Sequence, residues 1–313
     1  MSRFAEALKR ARTGSAVAQD EPGTGDPVRF FAPGQPAIIP PWDIERDSPA
    51  PLPVDPPKRQ PLAVGRRVPV RFGERDPNAD RSLPFPPPRS GDKLVVSPAV
   101  TSVVREQYNK LAAAIHQSQL ERSLKVVMVT SAAPGEGKTL TAANVALALS
   151  ESYQRRVLLI DADLRHPSVH GLFGVSNVRG LSDSLNSQGP LPLVSVSPRL
   201  ALLTAGSAAG DPLKTLTSDG MRALVDDMRT EFDWVLVDTA PIGLLSDARL
   251  VAAIADGTLF VIRARRTSYD LVQQATDTIG ADRILGIVLN GVAEHDVFAG
   301  GYYYGDYYGA ING

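Results

Sequence analysis

From residue 93 onward, short continuous apolar runs alternate with stretches whose apolar residues recur at helical spacing. Val104, Tyr108, Leu111 and Ile115 fall at i, i+4, i+7 and i+11, which predicts an amphipathic helix. Six β-rich runs follow: Lys125–Thr130, Val157–Asp161, Leu200–Thr204, Trp234–Asp238, Thr258–Arg263 and Ile284–Asn290. Helical patterns separate several of them, near 138–152, 219–231, 247–255 and 268–280. Strands this uniformly apolar are buried on both faces, unlike the alternating strands of a half-solvated sheet. Joined by helical crossovers, they predict an α/β fold: a doubly wound, mainly parallel sheet with helices on both faces. In such sheets the site lies beyond the carboxyl ends of the strands, so the residues there carry the information.

Composition changes the picture only before residue 93. Of the 26 prolines in the 313 residues, 18 fall within residues 1–90, including Pro40-Pro41, Pro56-Pro57 and Pro86-Pro87-Pro88. Each proline fixes φ and removes an amide donor, so neither helix nor sheet propagates through such a stretch. Residues 15–90 therefore read as disordered or polyproline-like, a spacer whose Pro-x-x-Pro matches are expected from composition alone. Residues 2–12 could form a short basic helix, with Phe4, Leu8 and Ala11 on one side, that docks to a partner; a frayed tail is the expected reading. The expected organisation is a Pro-rich region over 1–92, a folded domain over 93–298 and a flexible tail over 299–313.

Charge and cysteine content narrow the function classes. A formal net charge of −1 creates no field that would draw the chain to nucleic acid, and none is expected as a partner. With no cysteine there is no disulfide framework, Cys-ligated zinc or thiol nucleophile. No apolar run approaches the ~20 residues of a membrane helix, and Met1–Arg12 lacks the apolar centre of a signal peptide. The expected location is the cytoplasm, with any recruitment to the inner face of the membrane made through a partner.

Chemistry concentrates at the predicted strand ends. After the strand ending at Thr130 comes Ser131-Ala-Ala-Pro134-Gly135-Glu136-Gly137-Lys138-Thr139-Leu140. Glycines at 135 and 137 let backbone amides turn inward on phosphates, and the helix that follows adds its partial positive end. Lys138 is placed to meet the β/γ-phosphates of ATP and the Thr139 hydroxyl to ligate Mg²⁺. The strict G-x-x-x-x-G-K-[ST] pattern is not met, because its first position is Ala132. Asp161 and Asp163 follow one apolar run and Asp238 ends another; three such carboxylates beside a phosphate loop suit Mg²⁺ coordination and proton abstraction. At the other end of the chain, Tyr302, Tyr303, Tyr304, Tyr307 and Tyr308 are five of its eight tyrosines. A nucleotide site plus a run of phenolic acceptors suggests a kinase that phosphorylates itself.

As a set, these residues resemble the bacterial tyrosine kinases of capsule and exopolysaccharide synthesis, across about residues 93–313. Ser131–Thr139 looks like that family's variant Walker A motif, Leu158-Leu-Ile-Asp-Ala-Asp-Leu-Arg-His-Pro167 like its second Walker motif, and Val235-Leu-Val-Asp-Thr-Ala-Pro241 like its Walker B. Asp247-Ala248 and Gly286-Ile-Val-Leu-Asn290 also correspond, and the terminal tyrosine cluster completes the likeness. The partition and division-site ATPases, the nearest relatives by fold, carry an extra lysine early in the loop; here that position is Ala133.

The resemblance implies a P-loop fold and autophosphorylation in trans. It assigns Asp161 as the base for the tyrosine hydroxyl, Asp163 and Asp238 with Thr139 to Mg²⁺, residues 134–140 to the nucleotide and Asn290 to the adenine side. It also implies a membrane-embedded polysaccharide chain-length regulator as activator and a phosphotyrosine phosphatase as counterpart. One departure stands out. The family's Glu-x-x-Arg-x-x-Arg pattern for ring assembly aligns with Glu106, Asn109 and Ala112, so self-association is expected to be weak or partner-dependent. The competing reading is a nucleotide-dependent switch that positions something at the membrane without kinase activity.

Overall fold

In a computed structural model of the chain, the described residues are 29–30, 93–186, 190–207, 211–243 and 247–292. The strands are β1 (Arg29–Phe30), β2 (Val126–Ser131), β3 (Val157–Asp161), β4 (Val194–Ser197), β5 (Leu200–Leu203), β6 (Trp234–Asp238), β7 (Gly257–Arg263) and β8 (Ile284–Asn290). They form one sheet in the order β1-β8-β7-β2-β6-β3-β5-β4. The six from β8 to β5 run parallel, while β1 and β4 pair antiparallel at the two edges. The chain leaves β2 toward β3 on one side and reaches β7 on the other, so the carboxyl end of β2 lies where the winding reverses.

Alternate strand residues feed two separate cores, which is why the runs look continuously apolar. Val127, Val129, Leu159 and Leu236 face one layer, while Met128, Leu158, Ile160 and Val237 face the other. The first layer is closed by α1 (Ser102–Arg122), α2 (Lys138–Glu151) and the one-turn α3 (Val169–Phe173). The second is closed by α4 (Leu181–Asn186), α5 (Pro212–Leu216), α6 (Asp219–Glu231), α7 (Asp247–Ala252) and α8 (Tyr269–Ile279). Helix α2 is buried along nearly its whole circumference, and its small residues Ala142, Ala143, Ala146 and Ala148 let it lie close between the sheet and α1. Thr101 starts α1 by accepting the Val104 amide, and Ser218 and Ser268 start α6 and α8 in the same way.

The expected stripe of α1 is buried as predicted, and three strands have the predicted bounds. Three differences are physical. Strand β4 is half-buried, so it lacks the apolar signature of its neighbours. Helices α3, α4 and α5 are five or six residues long, below the length at which periodicity can be read. Arg29–Phe30, inside the stretch expected to hold no strand, pairs with Leu289 and Val288 of β8, because two residues between prolines suffice for an edge pairing. Among the described residues, no helix is long and apolar enough to cross a membrane.

Candidate active site

Sheet register brings the acidic residues together. In the parallel β3–β6 pair, Asp161 lies directly opposite Asp238, both at the last position of their strands. Strand β2 is the other neighbour of β6, and its Val129 is paired with Asp238. The loop after β2 therefore begins beside both carboxylates. Within that loop Gly135 and Gly137 have φ of 78° and 91°, and Gly137 caps the helix that starts at Lys138. The positive φ favours glycine at 137, and a side chain there would also push the Asn290 amide away. The first amide of this helix to find an intrahelical acceptor is that of Thr141, on the Gly137 carbonyl. The amides of Lys138, Thr139 and Leu140 are left for an anion. Pro134 and Gly135 are exposed at the tip of the loop, whereas the Leu140 side chain packs against the α1/α2 core. Leu140 can thus contribute only its backbone to a ligand.

Lys138 folds back onto the carboxylates. Its Nζ lies 2.8 Å from Asp163 Oδ2 and 3.9 Å from Asp238 Oδ1, and donates to Thr139 Oγ1 at 3.2 Å. Burial works against the lysine's charge, but Asp238 and Asp163 outweigh it and hold its pKa above the ordinary value. Asp163 Oδ1 accepts the His166 amide at 3.1 Å. Asp161 Oδ2 accepts the amides of Ser168 and Val169, each at 3.0 Å, and so caps α3. Burial first, and the Asp238 charge second, push Asp161 up to about 7 despite those amides. Burial likewise pushes Asp238 up to about 6, against the pull of Lys138. Asp238 is wholly buried, and neither of its oxygens meets hydrogen-bond geometry with any described residue. An anion left in that state marks a place where something positive or protonated is expected to arrive.

Two further contacts order the loop after β3. Ser168 Oγ and Thr139 Oγ1 are 3.1 Å apart, joining that loop to the start of α2. Arg165 grips Asp247 at the start of α7, with Nε to Oδ2 at 2.6 Å and Nη2 to Oδ1 at 3.3 Å. Asp247 draws the Arg165 pKa still higher. In the sequence Arg165 and Asp247 belong to separate motifs. A contact across 82 residues leaves no spacing signal, and Ser168 left none either. The five terminal tyrosines, Tyr302, Tyr303, Tyr304, Tyr307 and Tyr308, lie outside the described residues.

A family model described as the CobQ/CobB/MinD/ParA nucleotide binding domain matches residues 127–300, more than half of the chain. The tyrosine-protein kinase YwqD of Bacillus subtilis (strain 168) is 35% identical over 209 residues, 64% of this chain and 87% of YwqD. The chain belongs to the bacterial tyrosine-protein kinases. The solved kinase domain of the Escherichia coli tyrosine kinase ETK superposes with a TM-score of 0.58 at 30% identity, covering 61% of this chain and 77% of that one. The succinoglycan biosynthesis transport protein ExoP of Rhizobium meliloti (strain 1021) is 32% identical over 234 residues. That match spans 71% of this chain but only 29% of ExoP, which is much the longer protein. The arrangement found here, a glycine-containing loop at the winding reversal with three buried aspartates around its lysine, lies within the matched nucleotide binding domain. Kinase membership sets aside the switch without kinase activity.

Proposed function

We propose that this kinase transfers the γ-phosphoryl group of ATP to tyrosines of its own terminal cluster, Tyr302, Tyr303, Tyr304, Tyr307 and Tyr308, reaching them in a neighbouring copy. The observation that carries the reading is the buried Asp238 carboxylate beside Thr139 and Lys138, whose oxygens make no hydrogen bond and whose ion pair with Lys138 is a long one of 3.9 Å. Lys138 and the free amides of 138–140 suit the phosphates, with the backbone of Pro134, Gly135, Glu136 and Gly137 around them. Asp161 is the candidate base: a carboxylate held near 7 can take up a proton at neutral pH and is already oriented by two amides. Asn290, at the end of β8, is the candidate residue for the adenine side.

The donor set fits Mg²⁺, which takes oxygen ligands and relies on one or two carboxylates plus substrate phosphates. Thr139, Asp163 and Asp238 would hold it, and the bound ion would neutralise charge on the transferring phosphoryl group. Among the described residues no group of three or more His, Cys, Asp or Glu forms a self-sufficient metal cage.

We place the kinase in the cytoplasm, recruited to the inner face of the membrane by a chain-length regulator that activates it. Phosphorylation then regulates polymerisation and export of an exopolysaccharide, and a phosphotyrosine phosphatase reverses it. The name of ExoP, which couples polysaccharide biosynthesis to transport, supports that setting. The test is to incubate the purified full-length chain with ATP and Mg²⁺, then detect phosphotyrosine and map it by mass spectrometry. Label within 302–308 is expected. Phosphotyrosine that appears only elsewhere would remove the terminal cluster as acceptor, and none at all would overturn autophosphorylation.

A further inference from the structure

Glu136 is an electrostatic oddity, an anion at the centre of a loop that must receive anions. Its carboxylate does not face the phosphates. The residue is 3% exposed, and its side chain turns into the protein. There Oε2 accepts the Ala133 amide at 2.9 Å, and Oε1 accepts the hydroxyl of Thr267. Thr267 Oγ1 in turn accepts the Arg263 amide at 3.0 Å. The Glu136 carbonyl is held as well, by Asn290 Nδ2 at 3.0 Å, while Asn290 Oδ1 accepts the Gly291 amide at 2.9 Å. Arg263 and Asn290 are register partners at the ends of β7 and β8. One residue of the phosphate loop is thereby fastened to two strand ends that are not part of the loop.

We propose that Glu136 and Thr267 form a positioning pair that sets the shape of the phosphate loop before nucleotide arrives. By taking the Ala133 amide, Glu136 removes one donor from the cradle and fixes which way the loop turns. By taking the Thr267 hydroxyl, it ties that shape to the β7–α8 turn. A loop already in its bound shape loses less freedom on binding, so the pair acts on affinity. It touches neither the phosphoryl group nor the tyrosine, so it stabilises bound ATP and the transition state alike. That raises KM without lowering kcat when the pair is broken.

Thr267→Val keeps the volume but removes the hydroxyl, so a buried Glu136 oxygen loses its donor and the Arg263 amide loses the Thr267 acceptor. A group stranded in this way typically weakens the affected equilibrium by ~5- to 150-fold, and we expect ATP affinity to fall about tenfold. Thr267→Ser keeps the hydroxyl and should bind ATP within about threefold of the native chain. Glu136→Ala should weaken binding comparably, and the double variant should be no worse than the weaker single one, since both act through one contact. Affinity for Mg²⁺·ATP measured by titration calorimetry on the full chain, with KM for ATP and kcat measured at a saturating peptide tyrosine substrate, reads these effects. Native affinity in Thr267→Val, losses that add in the double variant, or a fall in kcat at unchanged KM would each overturn the proposal. So would a lowered melting temperature with unchanged affinity, the mark of a merely structural contact. Should Glu136→Ala fail to fold, Thr267→Val against Thr267→Ser decides the matter alone.

Discussion

Replacing Asp238 by asparagine should make the metal-free, nucleotide-free kinase more stable while abolishing its activity. The carboxylate is wholly buried, and its polar neighbours, the Lys138 ammonium at 3.9 Å, the Thr139 hydroxyl and the Thr239 amide, stand outside hydrogen-bond geometry; burial raises its pKa from the ordinary 3.8 to about 6 in spite of their pull. A raised folded-state pKa means that the folded protein keeps the proton longer than the unfolded chain does. Ionised Asp238 therefore costs folding free energy: nothing below about pH 4, increasingly between about 4 and 6, and the full amount above. At about 1.4 kcal/mol per tenfold, the full amount is roughly 3 kcal/mol. The substituted amide stays buried and itself lacks partners, so the net gain should be nearer 1–2 kcal/mol, or roughly 3–6 °C in Tm for a domain of this size. Asp238 also contributes to the raised pKa of Asp161, about 7, so relief there extends the pH window slightly upward. Thermal unfolding of both proteins in a chelator, from pH 4.5 to pH 8, checks this as a difference curve. That difference removes the opposite pH dependence of Asp183 and Asp256, whose partners hold them below the ordinary carboxylate range. A variant less stable than the native chain at pH 8, or a difference that does not change with pH, would refute the reasoning.

Lys138→Ala should reduce phosphoryl transfer by ~100- to 1000-fold, since it deletes a preorganised charge at the phosphates. Asp161→Asn should lose comparable activity yet retain ATP binding better, and titration of both variants beside a labelling assay separates the two. Replacing Tyr302, Tyr303, Tyr304, Tyr307 and Tyr308 together with phenylalanine should erase the phosphotyrosine signal and leave ATP affinity intact. Labelling that persisted at native intensity would contradict that. Each phosphate adds roughly −1.5 to −2 charges, so a fully modified tail gains about −8 to −10 and should be expelled from a neighbour's acidic site. Light scattering should then show weaker self-association after phosphorylation. Equal, stable oligomers in both forms would exclude control by the tail.

The parallel core and the ends of its strands could be read from sequence because each depends on local composition. A strand buried on both faces is a continuous apolar run, and its last residue is visible where the run meets Asp161 or Asp238. The alanine-rich burial of α2 and the short helices α3, α4 and α5 left no comparable trace. Within the site, residue types and spacing pointed to Lys138, Thr139 and the three aspartates, and the structure brings all five together. The connections between distant loops stayed hidden: Ser168 with Thr139, Arg165 with Asp247, Glu136 with Thr267. Glu136 was expected among the nucleotide contacts, whereas its side chain serves the loop itself. The aligned assembly positions also have occupations that sequence alone did not show. Ala112 is buried in the core, and Asn109 is engaged by Ser152 at 3.2 Å.

The opposition of Asp161 and Asp238 across β3 and β6 has a consequence for what can vary in such an enzyme. Their spacing is set by the ladder between two buried strands. A one-residue slip would carry every core side chain of the strand to the wrong face. The acidic pair is therefore inherited with the hydrophobic core and cannot drift independently of it. The turns that follow β2, β3 and β7 are held instead by side-chain contacts with one another, which a substitution can change without shifting the ladder. Changes in those contacts should move Lys138 and Asp163 relative to the two carboxylates while the pair itself stays in place. Mutational drift in the β3 or β6 core should reach catalysis as quickly as it reaches stability.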